Sequence, residues 1–274
     1  MSRGVGSAAV ASDPLDPSRA QCGRVHDVLL GVGKDSYWTD LQVGEQLVAD
    51  VPEFAPAAQA ARMFLARAVH DLAVEGVAQF VELGSGYPCP PNLHEIARRV
   101  RPSARTIYVD SDPVVAAHGR ALLAGEQTLF IGADITDTDT IVKELTETID
   151  PGLPVAICLG FVAEFIPDPR TVITALTAIL APGSWVVLSH VTTDDDTGAV
   201  TRATDIYQAN GIDFRPRPRE DIATILSGCD LWEPGLVPVH RWRPDADRAG
   251  LDEAEFGWGS PNGEFCLAAV GRLR

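Results

Sequence analysis

The chain has 274 residues, 46% of them hydrophobic, and a formal net charge of −16 from 38 acidic and 22 basic side chains. That length and hydrophobic share can build one large α/β domain, or a core domain with an added cap, and leave disorder to the ends. The charge argues against sequence-independent binding to nucleic acid or an anionic membrane. No run reaches the roughly 20 apolar residues of a spanning helix.

Residues 1–20 hold Arg3 among Ser, Ala, Asp and Pro without a signal-type apolar core, and read as a disordered tail. Residues 21–76 read as a helical cap, broken by "GVGKDS" (31–36) and by Pro52 and Pro56. Its last piece, "AAQAARMFLARAVHDLAVEG", stops at Gly76. From 77 to 274 short apolar runs alternate with helical segments. The runs are "QFVEL", "RTIYVD", "TLFIGAD", "PVAICLG" and "SWVVLSHV", with helices expected from near Pro91, Pro113, Asp137, Asp168 and Thr197. Strands apolar on both faces and separated by single helices imply a parallel sheet covered on both sides. Right-handed crossovers make it doubly wound, with ligands at the carboxyl ends of the strands. After a helix near 218–228, "DLWEPGLVPVHRW" and "GEFCLAAVGRL" have no helix between them and are expected to pair antiparallel at one sheet edge.

The five cysteines (22, 89, 158, 229 and 266) form no C-x-x-C pair, which argues against a disulfide framework or a zinc site. Cys158 and Cys266 read as small core residues. The expected setting is soluble and cytoplasmic.

The first strand ends in "FVELGSGYPCPPNLHEIARRV", where an acid and two glycines precede a helix. Such glycines let the backbone approach a ligand. Glu82 precedes Gly84 and Gly86, Asp110 closes the second strand and Asp134 follows the third. An acid at the end of the second strand is placed to accept from both hydroxyls of a ribose. Asp112, before Pro113, reads as a helix cap. A dinucleotide loop would follow G-x-G-x-x-G, but the third position is Cys89, and Glu82 would oppose a pyrophosphate. A carboxylate there suits an amino group. S-adenosylmethionine, which carries an amine, a ribose, an adenine and a sulfonium but no phosphate, is the ligand expected. An NAD-dependent oxidoreductase is the weaker alternative.

From about Gly23 to Pro244 the sequence resembles an actinobacterial S-adenosylmethionine-dependent methyltransferase family long catalogued as a domain of unknown function. The motifs that carry the resemblance include "GRVHDVLLGVGKDSY", "FVELGSGYP", "FIPD", "APGSWVVLSHVT" and "EPGLVPVHRWRPD". It implies a doubly wound, Rossmann-like class I sheet of seven strands, the last antiparallel, with an N-terminal helical cap. It also implies a methionine-side loop of Glu82, Gly84, Ser85 and Gly86, and a ribose site of Asp110 and Ser111. Asp134 and Ile135 fall at the adenine, and Leu159 and Gly160, in "CLGFVAEF", where donor meets acceptor. The chain departs from the family pattern at His26, Ser36 and Glu164, and "GVGKD" is one residue longer than the usual form.

Methyl transfer from a sulfonium needs alignment and exclusion of water, and a base only where the acceptor must lose a proton. Glu164, His190 at the end of the fifth strand, and His26 in the cap are the candidate catalytic residues. Each has a structural reading beside the catalytic one. Asp35 could also reach over the site from the cap. His240 and Arg241 read as fold-stabilising, and His70, His94 and His118 as exposed helix residues. No metal spacing is present. "TDDDTGA" (193–199) reads as a solvated loop ending in a helix cap, and "RPRPR" (215–219) as a local basic patch. The expected function is methyl transfer to a small-molecule acceptor, with secondary metabolism the expected setting. The departures keep open a protein that binds the cofactor without transferring its methyl group. The acceptor atom and any homo-oligomer are not readable.

Overall fold

The computed structural model describes residues 16–123, 125–194, 198–244, 248–249, 251–258 and 261–274. The five apolar runs form β1 (Gln79–Leu83), β2 (Arg105–Asp110), β3 (Thr128–Gly132), β4 (Val155–Leu159) and β5 (Trp185–Val191), each parallel to its neighbours among them. With β6 (Cys229–Leu231) and β8 (Cys266–Leu273) they make a path ordered β3-β2-β1-β4-β5-β8-β6. The two-residue β7 (Val237–Pro238) joins β8, so the sheet has eight strands.

β8 runs antiparallel to β5, β6 and β7. The last two runs therefore pair antiparallel at one edge of the sheet, as expected, with β8 on the inside and β6 at the rim. Residues 266–271 of β8 are all buried, whereas Asp230 and Leu231 of β6 are exposed. A strand apolar on both faces needs neighbours on both sides, and a short, half-exposed one suits the rim.

Alternation along the strands splits the core in two. Phe80, Ala156, Cys158, Val187 and Val270 face one cluster, and Val81, Leu83, Ile157, Val186 and Leu188 face the other. The first cluster is covered by α1 (Cys22–Leu29), α2 (Trp38–Asp50), α3 (Phe54–Val74), α4 (Leu93–Val100) and, beyond α5 (Pro113–Leu122), by α8 (Ala199–Ala209). The second is covered by α6 (Thr138–Thr148), α7 (Pro169–Thr177) and α9 (Arg219–Ile225). The first three helices thus share one core with the sheet.

Pro56 does not break α3. It sits in the first turn, where its missing N–H costs no helical bond. Asp112 caps α5 through the Val114 N–H at 2.8 Å, and Asp137 and Asp168 cap α6 and α7. Of the expected N-terminal tail, residues 1–15 lie outside the described residues, and the Pro17 carbonyl accepts from Thr39 Oγ1 on α2. Residues 195–197 of the expected 193–199 loop also lie outside them. α8 follows Gly198, at φ +73°, with no side-chain cap bond.

Two of the expected catalytic residues are built into the end of β5. His190 is fully buried: Nδ1 pairs with the Val191 carbonyl at 2.7 Å and Nε2 faces Arg217 Nη1 at 2.8 Å. An arginine only donates, so Nε2 accepts and Nδ1 carries the proton. Burial, partly opposed by the bond to Val191, pulls its pKa down to about 4. A neutral histidine whose one accepting nitrogen faces an arginine has no lone pair to offer a substrate. Glu164 is likewise fully buried, with Oε1 accepting from the Val191 N–H at 2.9 Å and its carbonyl from the Arg215 N–H at 2.7 Å.

Other expected exposures are also corrected. His70 is buried with Nε2 near the Ala249 carbonyl, His94 bonds the Tyr108 hydroxyl and His118 packs edge-on against Tyr87. "RPRPR" is not a free patch. Arg217 donates to the carbonyls of Ala163, Ile166 and Pro167, Arg215 pairs with Asp213 and Arg219 donates to the Leu236 carbonyl. His240 Nδ1 accepts from the Gly263 N–H and Arg241 pairs with Glu264, both just before β8.

Burial pushes the Glu164 carboxyl up to about 7. Between the ordinary glutamate value and that one, the unfolded chain ionises while the fold keeps the proton, so wild-type stability falls as pH rises through the window. Glu164→Gln has no such loss. Its urea-denaturation stability should climb relative to wild type from pH 5 to pH 8, by on the order of 2–3 kcal/mol. A difference that stays flat over that range would contradict the assignment.

Candidate cofactor and acceptor site

At the carboxyl ends of β1, β2 and β4 the sheet opens into one cleft roofed by α1. The turn after β1 explains its shape. Gly84 and Gly86 have φ of +65° and +61°, and the N–H groups of Gly84 and Ser85 both donate to the Val109 carbonyl, folding the chain over the end of β2. A Cβ on Gly84 would lie 2.4 Å from Val162 Cγ2, so glycine is required by both conformation and space. The chain then reaches Asn92, whose N–H donates to Glu95 Oε2 at 2.6 Å in a capping box that opens α4. The helix start is therefore occupied by a carboxylate, the opposite of what a pyrophosphate needs.

The three acids expected at strand ends all line this cleft, in different states. Asp110 accepts from the Gly86 N–H through Oδ2 and from the Asp112 N–H through Oδ1, both at 2.9 Å, which fixes its plane. Burial pushes its pKa up to about 6 against those bonds. Asp134 is exposed at the rim, and its Oδ1 takes both the N–H and hydroxyl of Thr136 at 2.7 Å, leaving Oδ2 turned to ligand or solvent.

Glu82 is paired. Arg62, projecting from α3, meets Glu82 Oε1 at 2.9 Å and donates to the carbonyls of Cys89 and Pro91. Burial opposes the Arg62 charge, but Glu82 more than offsets it and the guanidinium stays protonated. Burial also pushes Glu82 up, with Arg62 pulling it part-way back. Sequence reasoning missed Arg62. Its position inside a helix of strong formers gave no sign that it would cross to β1.

Ser85, Ser111, Ile135 and Gly160 also line the cleft, so of the expected cofactor residues Leu159 alone does not. Alternation turns Leu159 into the core on the far face of the sheet. Neither Glu164 nor His190 lines the cleft. His26 does, from the α1 roof, with its ring 5.2 Å from Phe161 and Nδ1 buried without a partner. Burial, with help from Arg62, lowers its pKa to about 4, so it is neutral near pH 7. Phe161 itself is held at φ +54°, a costly conformation for an aromatic residue, and its N–H is tied to Ser189 Oγ at 2.9 Å. That strain sets the Phe161 ring between His26 and Phe54 as the cleft wall. Phe165 and Leu65 extend this apolar side.

The donor set fits an adenosyl amino acid. Carboxylates are spread along the cleft where hydroxyl, amino and cationic groups would lie, and the charge of its arginine is already matched by Glu82, with Nη2 on two carbonyls and Nε without a partner. Among the described residues no cluster of His, Cys, Asp or Glu is placed to hold a metal ion, and no helix is long and apolar enough to cross a membrane.

Comparison with known proteins agrees with this geometry. A candidate methyltransferase from Thermobifida fusca is 33% identical, with a TM-score of 0.83 over 97% of this chain and 100% of its own. A DUF574 family protein from Streptomyces avermitilis is also 33% identical, with a TM-score of 0.83 over 94% of this chain and 99% of its own. The plantazolicin methyltransferase in complex with S-adenosylhomocysteine shares the fold, at 12% identity and a TM-score of 0.51 over 92% of this chain and 96% of its own. No curated protein matches the sequence. Residues 8–263 match the family described as S-adenosyl methyltransferase, and the chain belongs to that family as an S-adenosylmethionine-dependent enzyme of the class I fold.

Proposed function

We propose that this methyltransferase acts on a small-molecule acceptor held against the aromatic side of the cleft, with the cofactor spread over the ends of β1, β2 and β3. The observation that carries this reading is the single cleft in which Glu82, Asp110 and Asp134 line one side and His26, Phe161 and Phe165 another. Asp110 would accept from the ribose hydroxyls and Asp134 from the adenine amino group beside Ile135. The amino acid end lies over Gly84 and Gly86, against the Glu82–Arg62 pair.

The cofactor supplies an electrophilic methyl on a sulfonium. The protein's part is to align that carbon with a nucleophile and to keep water away. Phe161, Phe165 and Leu65 supply the apolar wall. His26 is the residue we assign to the acceptor's proton: it is neutral near pH 7, it lines the cleft and its Nδ1 has no protein partner. A base is required only for an oxygen or nitrogen acceptor that must lose a proton. The buried, arginine-facing state of His190 and the position of Glu164 outside the cleft support giving neither that role.

Calorimetric titration should show binding of S-adenosylmethionine and S-adenosylhomocysteine. Asp110→Ala should weaken it by roughly 2 kcal/mol or more, since the ribose hydroxyls lose their acceptor. Absence of binding to folded wild type would refute the site, and an unchanged Asp110→Ala affinity would show the ribose to be misplaced. Once an acceptor is found, His26→Gln should lower kcat roughly 10²-fold while leaving S-adenosylhomocysteine affinity within about twofold. An unchanged kcat would remove His26 from the chemistry.

A further inference from the structure

Asp27 is the buried acid that the reading above leaves without a task. It belongs to α1, where Gly23, His26, Asp27 and Leu30 recur at the spacing of one helical face, and all four line the cleft. The residue is 3% exposed, and neither carboxylate oxygen has a well-formed hydrogen bond, the neighbouring Gly33 N–H approaching without reaching good geometry. Burying such a group unpaired costs several kcal/mol, a cost a ligand donor would remove.

The charges around Asp27 do not neutralise it. Asp35, in the turn after α1, adds to the burial that pushes its pKa up to about 6, while the Gly33 N–H, Lys34 and His118 oppose it only in part. Lys34 is largely in solvent, and both Lys34 Nζ and His118 Nε2 lie 3.9 Å from the Asp35 carboxylate, which takes up part of their charge. Asp27 is also close enough to Cys89 and Tyr87 to raise both of their pKa values. Gly23, one turn before Asp27 on the same face, packs against the glycine turn, where a Cβ on it would lie 3.8 Å from the Gly86 Cα, so this face of α1 stands over the cofactor's amino acid end. Below it, the charge of Glu82 is already matched by Arg62 at 2.9 Å.

We propose that Asp27, from the cap, is the counter-charge for the α-ammonium of the cofactor's methionine, binding it from above while the Glu82–Arg62 pair lies beneath. This rests on the cofactor placement given above and adds to it a specific recognition role for α1. The roof is then part of the cofactor site as well as a cover for the acceptor. A ligand without the amino acid gains nothing from Asp27.

Two ligands separate recognition from structure. S-adenosylhomocysteine carries the ammonium, and 5′-methylthioadenosine keeps the adenine, ribose and sulfur but lacks the amino acid. Asp27→Asn preserves size and removes the charge. By calorimetry it should weaken S-adenosylhomocysteine at least tenfold and change 5′-methylthioadenosine by less than twofold. Asp27→Ser is scored in the same way should the Asn variant not fold. Equal losses for both ligands would make Asp27 a structural residue of the cap and overturn the proposal, as would no loss for either. Failure of wild type to bind S-adenosylhomocysteine would overturn the cofactor site itself, a result distinct from any difference between variants.

Discussion

The buried pair between Arg62 and Glu82 is the constraint on which the site depends. One guanidinium joins α3 to the end of β1 and holds the carbonyls of Cys89 and Pro91, so it ties the chain on both sides of the glycine turn. The ion pair is made away from bulk water, where losing one partner strands a charge and costs about 3–5 kcal/mol. The fold therefore makes the glycine turn a rigid floor. Its geometry rests on packing between the helical cap and the sheet, which share one core.

From that floor the division of labour in the cleft follows. The strand ends present carboxylates, because each parallel strand stops where its crossover begins and the next polar residue faces the opening. The roof presents α1, whose cleft-facing side carries an imidazole with an unpartnered Nδ1 and a carboxylate without a well-formed hydrogen bond. The wall after β4 is aromatic and strained at Phe161. Polar groups that face a sulfonium-bearing amino acid and apolar groups that exclude water thus fall on different elements. The acceptor side can vary in chemistry without disturbing the cofactor side.

Much of this was legible in the sequence because it depends on local rules. Short apolar runs between helical segments gave the strands, Asp112 before Pro113 gave a cap, and the Gly84–Gly86 pair gave a turn that only glycine fits. What was not legible depends on contacts between distant segments. Arg62 lies 20 residues from Glu82 in the chain, and helical spacing cannot say that it reaches a strand end. Glu164 and His190 sit at the ligand end of their strands, as a sequence reading places them, but hydrogen bonds to Val191 and Arg217 turn them into the fold. Asp27 was overlooked beside His26 because adjacent helix positions point about 100° apart, and only the location of the cleft shows that both face it. The position of β8 between β5 and β6 is likewise a matter of sheet order, which pairing signals leave open.

The most direct measurement is a crystal structure of the chain grown with S-adenosylhomocysteine. The account predicts the ligand stretched over the ends of β1, β2 and β3. Both ribose hydroxyls should lie within hydrogen-bonding distance of Asp110, the adenine amino group near Asp134, and the amino acid between Gly84–Gly86 and α1. A ligand seated elsewhere, with those carboxylates turned to solvent, would contradict it.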